Sequence, residues 1–178
     1  IMVGEIRDKE TAEIAVQAAL VGRLLLSTLH TNDSTGSVPR LLDIGVEPYL
    51  LSSSLTLVVA QRLIRRICKN CRESVTPSTS ILESIQSRPD FSETIGVLQR
   101  QGVLRKTHDG LAGVRLYKGK GCAQCQGSGF IGRVGLFEIF EVDEDIRDLI
   151  MQRKPASFIR STAIMKGMKT MFQDGLAK

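Results

Sequence analysis

The sequence predicts an α/β fold, and three observations predict it. Two short apolar runs, Ile1-Met2-Val3 and Leu24-Leu25-Leu26, flank a segment in which Ala12, Ile14, Ala15, Ala18 and Ala19 recur at helical spacing. Two Cys-x-x-Cys pairs then interrupt the middle of the chain. Finally, the last forty or so residues carry apolar side chains at helical periods. Hydrophobic residues make up 42% of the 178 and charged residues 24%, enough for a packed core and too apolar for wholesale disorder. No apolar run approaches the roughly 20 residues that span a bilayer, and no secretory signal pattern opens the chain. The net charge of +5 permits contact with nucleic acid without requiring it, and 4% aromatics with no Trp argue against a base-stacking platform.

Residues 1–3 read as a buried strand ending at Gly4-Glu5, and the run is cut short at Ile1, so the chain reads as part of a longer protein. Residues 8–20 read as a helix capped by Asp8 or Thr11, with Gly22 closing it. A second buried strand, 24–26, leads into Ser27-Thr28-Leu29-His30, and two strands joined by one helix are expected to lie parallel. A loop at 31–35 precedes a helix ending at Ile44 and Gly45, and one long apolar helix is expected over 48–67. The polar stretch 73–110 suggests two short helices, 80–87 and 92–101. A strand at 133–140 and helices at 143–153, 156–166 and 168–174 complete the reading. The apolar stripe of those last helices reads as core or as a contact between subunits.

Cys68, Cys71, Cys122 and Cys125 use every cysteine of the chain in two pairs separated by 50 residues. Two such turns complete a tetrahedron of thiolates around Zn²⁺, with Zn–S near 2.3 Å. Spacing and the reducing context favour structural zinc over two disulfides or a redox centre, and four protein ligands leave no open catalytic position. Arg65, Arg66, Lys69, Arg72, Lys118 and Lys120 would offset the negative charge of such a site. Arg62, Arg65, Arg66, Lys69 and Arg72 form a run that reads first as complement to a helix C-terminus and second as a surface for acidic lipid or an acidic partner.

Glu5 sits where a strand stops, the edge at which open α/β sheets bind ligands. A carboxylate there orients a water or holds Mg²⁺, or else simply pairs with Arg7. His30 ends the next strand on the same edge, close to Thr28, Thr31 and Asn32, where an imidazole can donate to a phosphate oxygen or pack a loop.

The segments IMVGEIRDKETAEIAVQAALVG, LLLSTLHTNDSTGSVPRLLDIGVEP, QRLIRRICKNC, KGCAQCQGSGFIGRVGLFEIFEVDEDIRDLI and MKGMKTMFQDGL together resemble the C-terminal half of the type II secretion and type IV pilus assembly ATPases. The resemblance spans nearly all of the chain except about 75–115, and the paired CxxC places it with the secretion and pilus-extension branch. It implies the trailing part of a RecA-like P-loop NTPase sheet over 1–67, a tetracysteine zinc-binding subdomain over 68–140 with an insertion at 75–115, and a helical region over 141–178. It implies that Glu5 is the Walker B glutamate that polarises the attacking water and that His30 is the histidine near the γ-phosphate; Gly4 and Thr28 are candidate nucleotide-binding residues, and Arg7, in the same GEIRD signature, is a candidate that touches either nucleotide or only its own strand. ATP and Mg²⁺ join zinc as expected ligands. The implied assembly is a cytoplasmic homo-hexamer, peripheral to the inner membrane through a platform protein and other secretion or pilus components, with no nucleic acid. A docking module braced by zinc, without catalysis, is the alternative.

Two departures stand out. Gly22-Arg23 replaces the Gly-His that members of the family carry before STLHT, and no GxxxxGK[ST] occurs anywhere. Without that loop the chain has no backbone cradle for the β-phosphate and no lysine for the γ-phosphate, so little ATPase activity is expected of these residues alone.

Overall fold

A computed structural model describes residues 1–88, 90–100, 102, 104 and 116–178. It is a mixed helix-and-strand structure with small sheets, and it divides into two units. The first comprises Ile1–Gln61 and Phe137–Thr170, the second Arg62–Leu136 and Met171–Lys178.

In the first unit, the extended runs at 1–3 and 24–26 meet through one parallel bridge, Met2 to Leu26. Leu26 N donates to Ile1 O at 3.0 Å, Val3 N to Leu26 O at 2.9 Å, and Ile6 N to Thr28 O at 3.0 Å. Between them α1 (Lys9–Leu20) starts on Asp8, whose carboxylate accepts from Thr11 N at 2.8 Å. α2 (Ser37–Ile44) closes on Gly45, whose φ of 106° is the left-handed cap that only glycine takes without strain. α3 is Pro48–Ser54, with proline in its first turn. α6 (Glu144–Met151) is capped by Asp143 through Ile146 N at 3.2 Å, and α7 is Ala156–Met165. Helices α1, α2, α3, α6 and α7 bury one core of Ala12, Val16, Val38, Leu41, Leu51, Ile146, Ile150 and Ile159, joined by Phe140 and Val142.

In the second unit, β2 (Arg72–Val75) pairs antiparallel with β3 (Leu116–Gly119), Arg72 opposite Gly119. A 3₁₀ turn, Ala123–Cys125, follows. α4 (Thr79–Gln86), α5 (Phe91–Arg100) and α8 (Met171–Ala177) gather a smaller cluster in which Leu98 and Leu104 are buried, packed by Leu82, Ile85, Phe91, Ile95 and Leu176. Arg88 covers the Phe172 ring at 3.7 Å from its centroid. β1 (Leu57–Ile67) and β4 (Phe130–Glu141), each with residues in both units, form a two-stranded ribbon.

Two expectations are corrected. The single helix over 48–67 is instead the short helix α3 followed by strand β1. Leu55 leaves the helix with ψ at 122°, and the run beyond it, rich in Val58, Val59, Ile64 and Ile67, alternates exposed and half-buried positions from Leu57 to Gln61, a period of two. The basic run therefore lies on β1, the turn after it and the first residue of β2, and among the described residues complements no helix end. Arg65 instead stacks over Phe130 at 4.1 Å and Arg72 over Tyr117 at 4.9 Å. Secondly, the runs at 1–3 and 24–26 are not buried: Met2 is 86% and Leu24 80% exposed, because among the described residues no element covers that side of the bridge. The expected helices at 80–87 and 92–101 correspond to α4 and α5, and the expected insertion at 75–115 lies partly outside the described residues.

The tightest backbone approach in the second unit is between Gly119 and Gly129. A Cβ on Gly119 would lie 2.0 Å from Gly129 O, and one on Gly129 would lie 2.6 Å from Gly119 O. Replacing Gly119 by Ala should therefore destabilise the unit by about 1–3 kcal/mol, as overpacking does. Denaturant melts of the G119A protein monitored by Tyr117 fluorescence should show the earlier midpoint.

Candidate functional site

The parallel bridge sets the positions of two candidate side chains. Its hydrogen bonds align residue 5 with the residues after 28, so that Glu5 and His30 leave neighbouring chains on the same rim. His30 Nε2 lies 2.5 Å from Glu5 Oε1, and Arg7 Nε lies 2.6 Å from Glu5 Oε2. Thr28 donates its hydroxyl to Gly4 O at 2.7 Å, pinning the backbone just before the carboxylate. Of the residues expected at this site, the structure thus brings Gly4, Glu5, Arg7, Thr28 and His30 together.

The hydrogen bond from the Arg7 guanidinium, reinforced by its charge and that of His30, holds the Glu5 carboxyl below its ordinary range against the opposing effect of desolvation. Glu5 Oε1 is itself buried and receives no well-aligned hydrogen bond, although the imidazole approaches it closely. That oxygen can still accept from a water or bind a cation. Beside it, His30, Thr31 and Asn32 line an open recess of about 280 Å³.

The loop after His30 is built from its own side chains. Asp33 Oδ1 accepts from Gly36 N at 2.8 Å and from Thr35 Oγ1 at 3.1 Å, and Thr31 Oγ1 donates to Asp33 O at 2.9 Å. Ser34, 1% exposed, donates both N–H (3.1 Å) and Oγ–H (2.6 Å) to Glu138 Oε1. The sequence reading missed Glu138. Its signal was the two-residue period of β4, which puts Glu138 on the same face as buried Phe140.

The second cluster is the four thiols. Cys68 lies after β1, Cys71 before β2, and Cys122 and Cys125 at the 3₁₀ turn. Their sulfurs all lie within 4.8 Å of one another, with Cys68–Cys122 at 3.9 Å, Cys71–Cys125 at 3.8 Å and Cys122–Cys125 at 3.7 Å. All four are free thiols. A tetrahedral metal–thiolate site with bonds of about 2.3 Å has sulfur–sulfur edges near 3.8 Å, so the donor set fits a metal ion. Burial pushes the Cys71 thiol up to about 12. Burial opposes ionisation of Cys125 too, but N–H bonds from Cys122 (3.1 Å) and Gly129 (3.3 Å) outweigh it and bring that thiol down to about 6. Cys68 N donates to Gly129 O at 2.9 Å and Lys120 N to Cys71 O at 3.0 Å, tying the two pairs together by backbone.

Among the described residues, no helix is long and apolar enough to cross a membrane. The family described as "Type II/IV secretion system protein" matches residues 1–178. The chain is 43% identical to the type IV pilus assembly ATPase PilB of Thermus thermophilus, covering 100% of this chain and 18% of that protein. It is 40% identical to the type II secretion system protein HxcR of Pseudomonas aeruginosa over 98% of this chain and 29% of that protein. It is 42% identical to the type II secretion system protein E of Dickeya dadantii over 100% of this chain and 31% of that protein. The chain spans less than a third of the length of these relatives. With the match running through the acid–imidazole rim and both cysteine pairs, the chain belongs to the type II/IV secretion system protein family.

Proposed function

We propose that this chain supplies the Walker B and histidine side of an ATPase site, on the trailing part of a RecA-like fold, in a protein that powers type II secretion or type IV pilus assembly. The single observation that carries the reading is the contact between Glu5 and His30 at 2.5 Å on one rim, with a recess beside it. The name of the Thermus thermophilus relative, a type IV pilus assembly ATPase, supports the same class of activity.

The chemistry asked of these residues is modest. Glu5, kept ionised by Arg7, accepts a proton from a water and orients that water for in-line attack. His30 presents its imidazole to a phosphate oxygen, and Gly4 and Thr28 fix the backbone beneath them. Mg²⁺, when bound, would neutralise charge on the phosphates, and Glu5 Oε1 is the oxygen that fits it directly or through water. The sequence contains no GxxxxGK[ST], so the phosphate cradle is expected from other residues of the parent protein, and little ATP turnover is expected of these residues alone. Cys68, Cys71, Cys122 and Cys125 hold one structural Zn²⁺. The working assembly is a homo-hexamer in the cytoplasm, held at the inner membrane by a platform protein and other machinery components. Differential closure of its subunits converts hydrolysis into pseudopilin or pilin movement.

Three outcomes test this. In the whole protein, Glu5→Gln should lower ATP turnover by about 100-fold or more in a phosphate-release assay while the protein stays folded. Undiminished turnover would remove Glu5 from the reaction. Loss of Arg7 removes the interaction that lowers the Glu5 pKa. Glu5 must be ionised to act, so activity disappears as pH falls through its pKa, and in Arg7→Ala the acid limb of the pH–rate profile should move to higher pH. Elemental analysis should return about one zinc per chain, and Cys68→Ser or Cys122→Ser should lose it. Zinc retained by both variants would refute the four-sulfur site.

A further inference from the structure

Glu138 is a carboxylate 2% exposed in a unit whose core is mostly aliphatic. Desolvating a carboxylate is costly unless it is hydrogen-bonded and charge-paired. Both conditions are met by the loop that follows His30. Oε1 accepts the Ser34 N–H at 3.1 Å and the Ser34 hydroxyl at 2.6 Å. Arg160, on α7, lies 3.8 Å from Glu138 Oε2 and 3.9 Å from Asp33 Oδ2, so one guanidinium joins the buried acid to the residue that organises the loop. Ser34 is held further by Met168, whose sulfur is 3.7 Å from its hydroxyl, and Ser34 O accepts from Ser37 Oγ at 2.5 Å as α2 begins.

These contacts converge on a short stretch of chain. Asp33 and Ser34 are fixed from below by Glu138 and Arg160, whereas His30 is largely exposed, its imidazole 82% accessible, and meets Glu5 at its tip. An exposed imidazole has no packing of its own to choose its rotamer, so the direction of the chain leaving it decides where it stands. We propose that Glu138, together with Arg160, is a positioning residue for His30: by gripping Ser34 and Asp33 it fixes the loop that aims the imidazole at Glu5 and at the recess beside it. The inference deepens the ATPase reading and rests on it for its catalytic consequence. The grip on the loop stands on the geometry of this chain alone.

Two measurements on the whole protein separate the parts. The first needs no nucleotide: hydrogen exchange across residues 31–37. Glu138→Ala and Ser34→Ala should each accelerate exchange in this segment about 10-fold or more, whereas Glu138→Gln, which keeps an acceptor oxygen, should hold it near the parent rate. The second is steady-state ATP hydrolysis per folded molecule. Glu138→Ala should lower kcat by about 10- to 100-fold with KM for ATP nearly unchanged, Glu138→Gln should recover most of it, and the Glu138→Ala/Ser34→Ala double variant should lose no more than either single one. Should Glu138→Ala fail to fold, Ser34→Ala and Glu138→Gln still decide the matter. Unaltered exchange in Ser34→Ala, exchange in Glu138→Gln as fast as in Ser34→Ala, or strictly additive losses in kcat would each overturn the proposal. A parent protein without ATP turnover would refute the ATPase reading, while the exchange measurement would still judge the grip.

Discussion

The site depends on the register of one parallel contact. Three backbone hydrogen bonds join 1–6 to 26–28, and they decide that residue 5 and residue 30 come to the same rim. Side chains alternate along an extended chain, so a slip of one residue would send the Glu5 carboxylate to the opposite face and leave His30 without it. The structure secures the register at several points. Thr28 gives its hydroxyl to Gly4 O, α1 returns the chain at a fixed length between caps, and the residues after His30 are anchored at Ser34. Each anchor is local and weak alone, and together they hold the Glu5 carboxylate and the His30 imidazole at 2.5 Å.

The two units are stabilised by different means. The first has a continuous aliphatic core reaching from Ala12 to Met168. The second has a small one, whose buried members among the described residues are Leu98 and Leu104, and its two-stranded sheet β2–β3 would be marginal in isolation. Its four sulfurs lie within 4.8 Å of one another, and a metal ion held among them would add to the stability of that unit, since binding energy at such a thiolate site is folding energy. The close passage of Gly119 over Gly129 serves the same end: it lets the strand before the second cysteine pair lie against the backbone that hydrogen-bonds Cys68.

Much of this was legible in the sequence, for reasons that are local. Asp8 three residues before Thr11, Gly45 after an amphipathic run, and the paired CxxC each specify a short-range geometry, and the structure carries the first two as caps and the third as a cluster. The placement of Glu5 beside His30 followed from strand ends on one edge. What misled was the run 48–67. Apolar residues there satisfy helical spacing and, from Leu57 on, strand alternation equally well, and the decision lies with β4, more than sixty residues downstream. Glu138 escaped notice for a related reason. A single acid in an apolar strand reads as a surface residue, and its partner Ser34 is distant in sequence.

The uncovered side of the Met2–Leu26 bridge has a consequence for how these 178 residues behave in solution when taken by themselves. Ile1, Met2, Leu24 and Leu26 present a tacky apolar rim whose strand edge still has hydrogen-bonding groups to offer. Such a rim is expected to adhere to its own kind, so that colloidal stability would fall as the preparation is concentrated. Arg23, exposed at the head of the second run, is a gatekeeper: its charge makes stacking of like rims repulsive, and screening it with salt weakens that protection.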